Sequence, residues 1–257
     1  MIDKKSKVLD GILRIIAPIM LMAILLLGWE YAARLGAIPE WAIAKPSSII
    51  EVFLRGFKEH VLPDAIVTVK TILFSYPVAA ILGIAFAGIV TNSELVSKAI
   101  SPYLILLVCT PMMTLVPLLM IVMGFDIKPR ILVIILQTFP IINLNSSTGF
   151  LNVPTERIEL MRSLKASRLT TFFRVSIPSS VTSIFTGLKI GFIACINACI
   201  AAEFAGGNDG LGAAIIFHTS FIRMPIALAC IVTVAIIGMI GYGLVSLLEK
   251  AVVSWEE

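Results

Sequence analysis

Cys195 and Cys199 stand four residues apart, the spacing that puts two thiols on one helix face, and metal ligation is the first chemistry such a pair raises. No histidine or carboxylate is read beside them, and two helical thiols alone hold a metal poorly, so packing is the expected role. Cys109 and Cys230 also lie in apolar runs, where a thiol behaves as a small hydrophobe. No metal site is expected. The two histidines, His60 and His218, fall in predicted external loops, and no aspartate pair lies inside the apolar segments. An intramembrane enzyme would therefore lack its acid-base pair. Ion-driven carriers bury carboxylates as relays, and Glu30 and Glu203, both near the ends of apolar runs, are the candidates. No phosphate loop of the Gly-x4-Gly-Lys-Ser/Thr type occurs, so nucleotide hydrolysis is not expected of this chain. Uphill movement of a solute would then need energy from a partner.

The elements that position these residues are built for lipid. Of the 257 residues 58% are apolar and 14% charged, against roughly 25% charged in a soluble domain. Mean hydropathy is +1.01. A water-soluble enzyme, a disordered chain and a nucleic-acid binder are excluded, and the net charge of +4 reflects cations in loops beside apolar segments. Six apolar runs are predicted to span the bilayer: Ile15 to Ala33, Ala65 to Thr91, Ile100 to Phe125, Ile131 to Leu151, Ser183 to Phe204, and Ile226 to Leu248. Lipid leaves no free backbone group satisfied and the runs do not alternate, so they are helices rather than barrel strands. The expected class is all-α and polytopic. Residues 1–64 form an N-terminal segment with the first span and an external loop, and residues 65–257 form a five-helix core.

Lys4, Lys5, Lys7 and Arg14 precede the first run as in a signal peptide, but the runs that follow favour an uncleaved anchor. Lys and Arg concentrate between spans four and five, which predicts both termini in the cytoplasm. Ala79, Gly83 and Ala87, then Gly187 and Gly191, recur at helical spacing, and Gly238, Gly241 and Gly243 crowd the sixth run. Such residues let helix backbones approach closely. Pro77, Pro111, Pro117 and Pro140 predict kinks or broken helices around a pathway, or simply the usual proline content of membrane helices. Met112, Met113 and Thr114 lie between two of them and are candidates for a gate, ordinary packing being the alternative. Asn143, Asn145 and Asn197 are either interhelical hydrogen-bonding groups or pathway residues, and Glu203 joins them as a pathway candidate. Lys70 and Lys189 are expected to snorkel to an interface. Residues 206–212, Gly-Gly-Asn-Asp-Gly-Leu-Gly, are too glycine-rich for helix and read as an external turn.

Residues 153–178 form the largest predicted cytoplasmic loop. Pro154, Thr155 and Glu156 read as a helix start, and Ile158, Met161 and Leu164 mark one face. Ser167 is placed to cap a second short helix carrying Leu169, Phe172 and Phe173, ending before Pro178. Arg157, Arg162, Lys165, Arg168 and Arg174 stand against Glu156 and Glu159. Two helices with a turn near Lys165 to Ser167 would lie flat on lipid headgroups or dock into a groove on a cytoplasmic protein.

Here the sequence resembles the permease subunits of binding-protein-dependent ABC importers. Their cytoplasmic loop has the spacing Glu-Ala-Ala-x3-Gly-x9-Ile-x-Leu-Pro. Glu159 takes the acidic position, Leu160 and Met161 replace the alanines, Lys165 replaces the glycine, and Val175, Ile177 and Pro178 close the pattern. Arg162-Ser163-Leu164-Lys165-Ala166-Ser167-Arg168 is similar to the family's Arg-Ser/Thr-Leu-Gly-Ala-Ser stretch. Flanks such as Trp29-Glu30-Tyr31, Pro46-Ser47, Thr186-Gly187-Leu188-Lys189 and Ala202-Glu203-Phe204 look most like the nitrate/sulfonate/taurine-type branch.

The resemblance implies the type I importer permease fold, with six transmembrane helices and a two-helix cytoplasmic coupling loop. It implies a bacterial cytoplasmic membrane, a homodimer of permease copies, two ATP-binding cassette subunits that use ATP and Mg, and an extracytoplasmic substrate-binding protein. The solute would be a sulfonate-, taurine- or nitrate-like anion, or a vitamin-precursor or aromatic compound. In that frame the loop is a lever, and Glu159 is expected to fix it by pairing with an arginine or a backbone amide. Lys165 in a glycine position predicts either a different turn or a partner surface with a compensating acid. An ion-coupled carrier and a non-transporting membrane scaffold are the remaining alternatives.

Overall fold

The computed structural model describes residues 2–36, 39, 41–91, 93–124 and 126–253, with side chains from residue 16 onward except that of residue 94. The side chains of Lys4, Lys5, Lys7, Arg14 and Ile15, and the predicted span end at Phe125, lie outside this set. Among the described residues every regular element is helical. In chain order these are α1 (Ile2–Arg34), α2 (Pro46–Glu51), α3 (Phe57–His60), α4 (Leu62–Val90), α5 (Glu94–Cys109), α6 (Leu115–Met123) and α7 (Ile127–Leu151). There follow α8 (Thr155–Ser163), α9 (Arg168–Thr171), α10 (Ile177–Ser179), α11 (Val181–Gly206), α12 (Leu211–Ser220) and α13 (Met224–Val252). Wider π-type turns join α2 to α3 and α9 to α10.

Among the described residues five helices are long and apolar enough to cross a bilayer: residues 16–34 of α1, then α4, α7, α11 and α13. The predicted third span is not one straight helix. It is α5 and α6, bent by 72° at a break around Thr110 and Pro111. Proline at this point removes a helical amide and crowds the turn before it, and a one-turn 3-10 segment at Met112–Thr114 restarts the chain. The other three prolines break nothing. Pro77 and Pro140 sit inside continuous helices, and Pro117 lies in the first turn of α6, where its missing amide has no intrahelical role.

The centre of the bundle is α7 packed between α4 and α11. Ile142 of α7 lies against Gly83 on one side and Gly191 on the other, and a Cβ on Gly83 would come within 2.9 Å of it. Asn145 sits against Gly187 in the same way, with 2.8 Å to a Cβ there. Small residues at helical spacing thus let three helices close on one another, as the sequence predicts. Asn143 is fully buried in this contact and donates from Nδ2 to the Gly83 carbonyl at 3.1 Å.

The two ends of the bundle differ. At one end α8 to α10 form an elbow between α7 and α11. At the other, α2, α3 and α12 cover the bundle, and Ile49, Val61, Leu211, Ala214 and Cys230 share a core there. The helix α12 and the helical segment 46–60 were not foreseen as elements. α1 stands largely apart, with apolar side chains from Ile19 to Leu27 exposed. Its end is pinned by Glu30, which accepts from the Ser47 amide at 3.0 Å, the Ser47 hydroxyl at 2.9 Å and Arg34 at 2.7 Å.

Candidate functional site

The elbow is closed by its backbone. The Ala166 amide donates to the Met161 carbonyl at 3.0 Å and the Lys165 amide to the Arg162 carbonyl at 2.9 Å. This pair of bonds is the Schellman ending of a helix, and it places residue 165 in the left-handed region at φ +53°. Lys165 therefore keeps the turn that glycine would make, at a backbone cost of roughly 1–2 kcal/mol. Ser167 then opens α9, its hydroxyl accepting the Thr170 amide at 3.1 Å.

One side of the elbow is rooted in the bundle. The Phe172 ring meets Phe150 of α7 with centroids 5.1 Å apart, and it covers Gly88 of α4, where a Cβ would fall 2.6 Å from the ring. Arg157 donates to the Ser179 hydroxyl at 2.9 Å, tying α8 to α10. Between them lies an open groove of about 590 Å³, lined by Pro154, Leu160, Met161, Arg174, Val175 and Pro178 among others. The outer side carries Leu160, Leu164, Leu169 and Phe173, each more than half exposed.

Glu159, Arg162, Ser163, Leu164, Lys165, Ser167, Arg168 and Pro178 are exposed, and Ala166 and Phe172 are half-buried. The expected pairing of Glu159 is not made: among the described residues no hydrogen bond or ion pair reaches its carboxylate. What fixes this turn of α8 is the Ser163 hydroxyl, which donates to the Glu159 carbonyl at 3.0 Å.

At the opposite end the glycine-rich turn is clamped from three helices. Arg130 of α7 is 7% exposed and pairs with Asp209 at 2.7 Å, and Asp64 of α4 accepts the Gly210 amide at 3.0 Å. Thr68 of α4 accepts the Leu211 amide at 2.9 Å, and Glu203 of α11 accepts the Gly212 amide at 2.8 Å. The last two acceptors meet the first amides of α12, where unpaired donors and the helix dipole favour oxygen ligands. Gly210 is at φ +97° and the Glu203 carboxylate fills the place its Cβ would need, so no other residue fits there without displacement. Glu203 also accepts from the Cys199 thiol at 3.5 Å. A carboxylate does stand beside the thiol pair, which corrects the sequence reading. Among the described residues no group of three metal-ligating side chains forms.

The remaining pathway candidates scatter. Met112 is buried with Val116, Met120, Val133 and Ala202, while Met113 and Thr114 are exposed beside the break. Asn145 donates to the Ile141 carbonyl of its own helix at 2.8 Å, and Asn197 is exposed. None of the seven lines the groove or the second cavity, of about 740 Å³, between α12 and the ends of α3 and α4. Sequence reading missed the ion pair of Lys189 with Glu249 of α13, at 2.8 Å with both side chains 19% exposed. Lys70, by contrast, is exposed on α4.

The architecture is a polytopic helical bundle with a preformed elbow at one end and a clamped turn at the other. The chain belongs to the family described as binding-protein-dependent transport system inner membrane component, which it matches over residues 79–254. It is 24% identical over 240 residues to the formylaminopyrimidine transport permease protein ThiX of Halalkalibacterium halodurans, covering 93% of this chain and 96% of that protein. It is 31% identical over 214 residues to the nitrate import permease protein NrtB of Leptolyngbya laminosa, covering 81% and 76%. Its fold is similar to a chain in the inward-facing MetNI methionine ABC transporter, with TM-score 0.68, 14% identity, and coverage of 77% and 98%. It is thus the permease subunit of an ABC importer, a multi-pass membrane component whose systems carry the ATPase on a separate subunit.

Proposed function

We propose that this permease forms the pathway of an importer for a small solute and that the elbow at residues 153–178 receives a separate ATP-binding subunit. The observation that carries this reading is the elbow itself. It is preformed by a Schellman turn and a serine cap, and it turns Leu160, Leu164, Leu169 and Phe173 outward, each more than half exposed. Phe172 links it to α4 and α7. A push on the elbow is then delivered to the helices that form the centre of the bundle, because close-packed side chains transmit displacement rather than absorb it.

In this reading the elbow and both termini face the cytoplasm of a bacterium, with α3, α12 and the clamped turn outside. Two copies of the chain form a homodimer, two ATPase subunits use ATP and Mg, and an extracytoplasmic binding protein delivers the solute. The solute is a small oxyanion or a vitamin-precursor heterocycle, classes supported by relatives named for nitrate and formylaminopyrimidine. In this reading Met113, Thr114 and Asn197, exposed on the bundle, would line the pathway.

The test is uptake by proteoliposomes holding permease, ATPase and binding protein. Deleting residues 164–167, or changing Glu159 to Ala, leaves membrane insertion intact and abolishes ATP-driven uptake. Unchanged uptake in both variants, or uptake that persists without ATP and collapses with an ionophore, would overturn the reading.

A further inference from the structure

The elbow concentrates exposed positive charge. Arg162, Lys165 and Arg168 lie within seven residues, all are exposed, and among the described residues none makes an ion pair. Arg162 lies in the last turn of α8 and Lys165 just beyond its end, where cations gain from the helix dipole. Arg168 opens α9, where a cation is repelled by the same effect. Lys165 occupies a left-handed position at φ +53° that glycine takes without strain. The dipole suits a cation at residue 165, but the left-handed turn favours glycine over Lys165, and the start of α9 disfavours Arg168.

We infer that the elbow fits an acidic groove, in which carboxylates of the ATPase subunit surround an apolar seat for Leu164 and meet Arg162, Lys165 and Arg168. This rests on the reading that an ATPase docks here, and it adds the chemistry of the partner's surface. Leu164, 68% exposed at the tip, is flanked by these cations, so the patch has an apolar centre and a charged rim. A different turn at residue 165 was the alternative explanation for its lysine, and the two Schellman bonds remove it. An anionic lipid face fits less well. Glu156 and Glu159 are exposed on α8, and headgroups of one sign repel them, whereas a protein groove can match both signs.

The decisive variant is Lys165→Gly, because it deletes the charge while relaxing the turn. Full-length permease in phosphatidylcholine nanodiscs is titrated with its ATPase at low and high salt, with a benzoylphenylalanine photo-crosslinker at position 164 reporting docking. Lys165→Gly weakens ATPase binding about threefold at low salt. Lys165→Glu with Arg168→Glu weakens it about tenfold through like-charge repulsion. Both losses shrink at high salt. Binding unchanged in both variants, with the crosslink to the ATPase intact, overturns the acidic groove and leaves the docking reading standing. No crosslink and no ATPase binding even in the unaltered chain overturns the docking reading itself. Weakened adhesion to phosphatidylglycerol vesicles with ATPase affinity unchanged assigns the cations to lipid and also overturns the inference.

Discussion

Glu203 and Thr68, on α11 and α4, share one hydrogen-bond system with the start of α12. The Thr68 hydroxyl donates to the carboxylate at 2.9 Å while accepting the Leu211 amide at 2.9 Å, and the same carboxylate accepts the next amide, Gly212, at 2.8 Å. Two side chains from different helices thereby set the angle at which α12 leaves the turn. The partners are consumed locally, so Glu203 holds architecture even though a carboxylate in this position first reads as an ion relay.

Removing that carboxylate leaves buried donors without acceptors. Glu203→Ala is expected to destabilise the detergent-solubilised protein by about 3 kcal/mol, since each unsatisfied buried group costs about 1–3 kcal/mol. Glu203→Gln retains one acceptor oxygen and is expected to lose less. Thermal unfolding followed by tryptophan fluorescence checks the order. Equal losses in the two variants would mean that packing around Gly210 and Gly212, rather than the hydrogen bonds, carries the effect.

Gly88 tests the root of the elbow. A methyl group added there meets the Phe172 ring, whose position is also fixed by Phe150. Overpacking of this kind costs about 1–3 kcal/mol, concentrated at the contact. Gly88→Ala is expected to leave ATPase binding unchanged while lowering ATP-driven uptake several-fold. Measuring both in one preparation separates a transmission defect from a docking defect. Wild-type uptake in this variant would place the linkage elsewhere.

His218 gives the far end of the protein a pH dependence. Burial holds its imidazole below the ordinary value of 6.5, and the Arg223 and His60 charges act the same way, with Asp64 opposing them. The folded protein thus favours neutral His218 while the unfolded chain binds the proton more readily. Stability from this group is present above pH 6.5 and is lost as pH falls through the lowered folded value. Thermal stability should decline as pH falls from about 6.5 toward the lowered folded value and level off below it, and His218→Phe should flatten the decline. An unchanged acid profile in that variant would assign the titration to another group.

Much of the architecture was legible because lipid imposes one rule on every span. Ala65 to Thr91 was predicted for α4 and Ser183 to Phe204 for α11, and the observed ends, Leu62 and Val90, Val181 and Gly206, differ by a few residues. The elbow was legible in part: α8 starts at Thr155 after Pro154 but without a side-chain cap, Ser167 caps α9 as read, and the second helical stretch runs through Pro178 instead of ending before it. The 72° break was harder. Pro77, Pro111, Pro117 and Pro140 all looked alike in sequence, and of the four only Pro111 separates two helices. Glu203 was also misleading. Its partners are Thr68, 135 positions away, and a turn whose shape depends on Gly210. The small helix α12 was hidden because it is too short to span and follows glycines that read as loop.

Lys189 and Glu249 were likewise separate in the sequence, and their pairing yields the strictest test of helix arrangement. Both side chains are 19% exposed and meet at 2.8 Å between α11 and α13. Breaking one half of a buried pair costs about 3–5 kcal/mol, because a charge is left without its partner, while replacing both halves with apolar groups is often neutral. This pair is only partly buried, so about 2 kcal/mol is the expected loss for Lys189→Met or Glu249→Leu alone. The double variant Lys189→Met with Glu249→Leu is expected to recover most of it, as is the charge exchange Lys189→Glu with Glu249→Lys. A double-mutant cycle on thermal stability measures the coupling. Losses that simply add would mean that the two residues do not meet in the folded protein, and that α13 returns beside α11 without this tie.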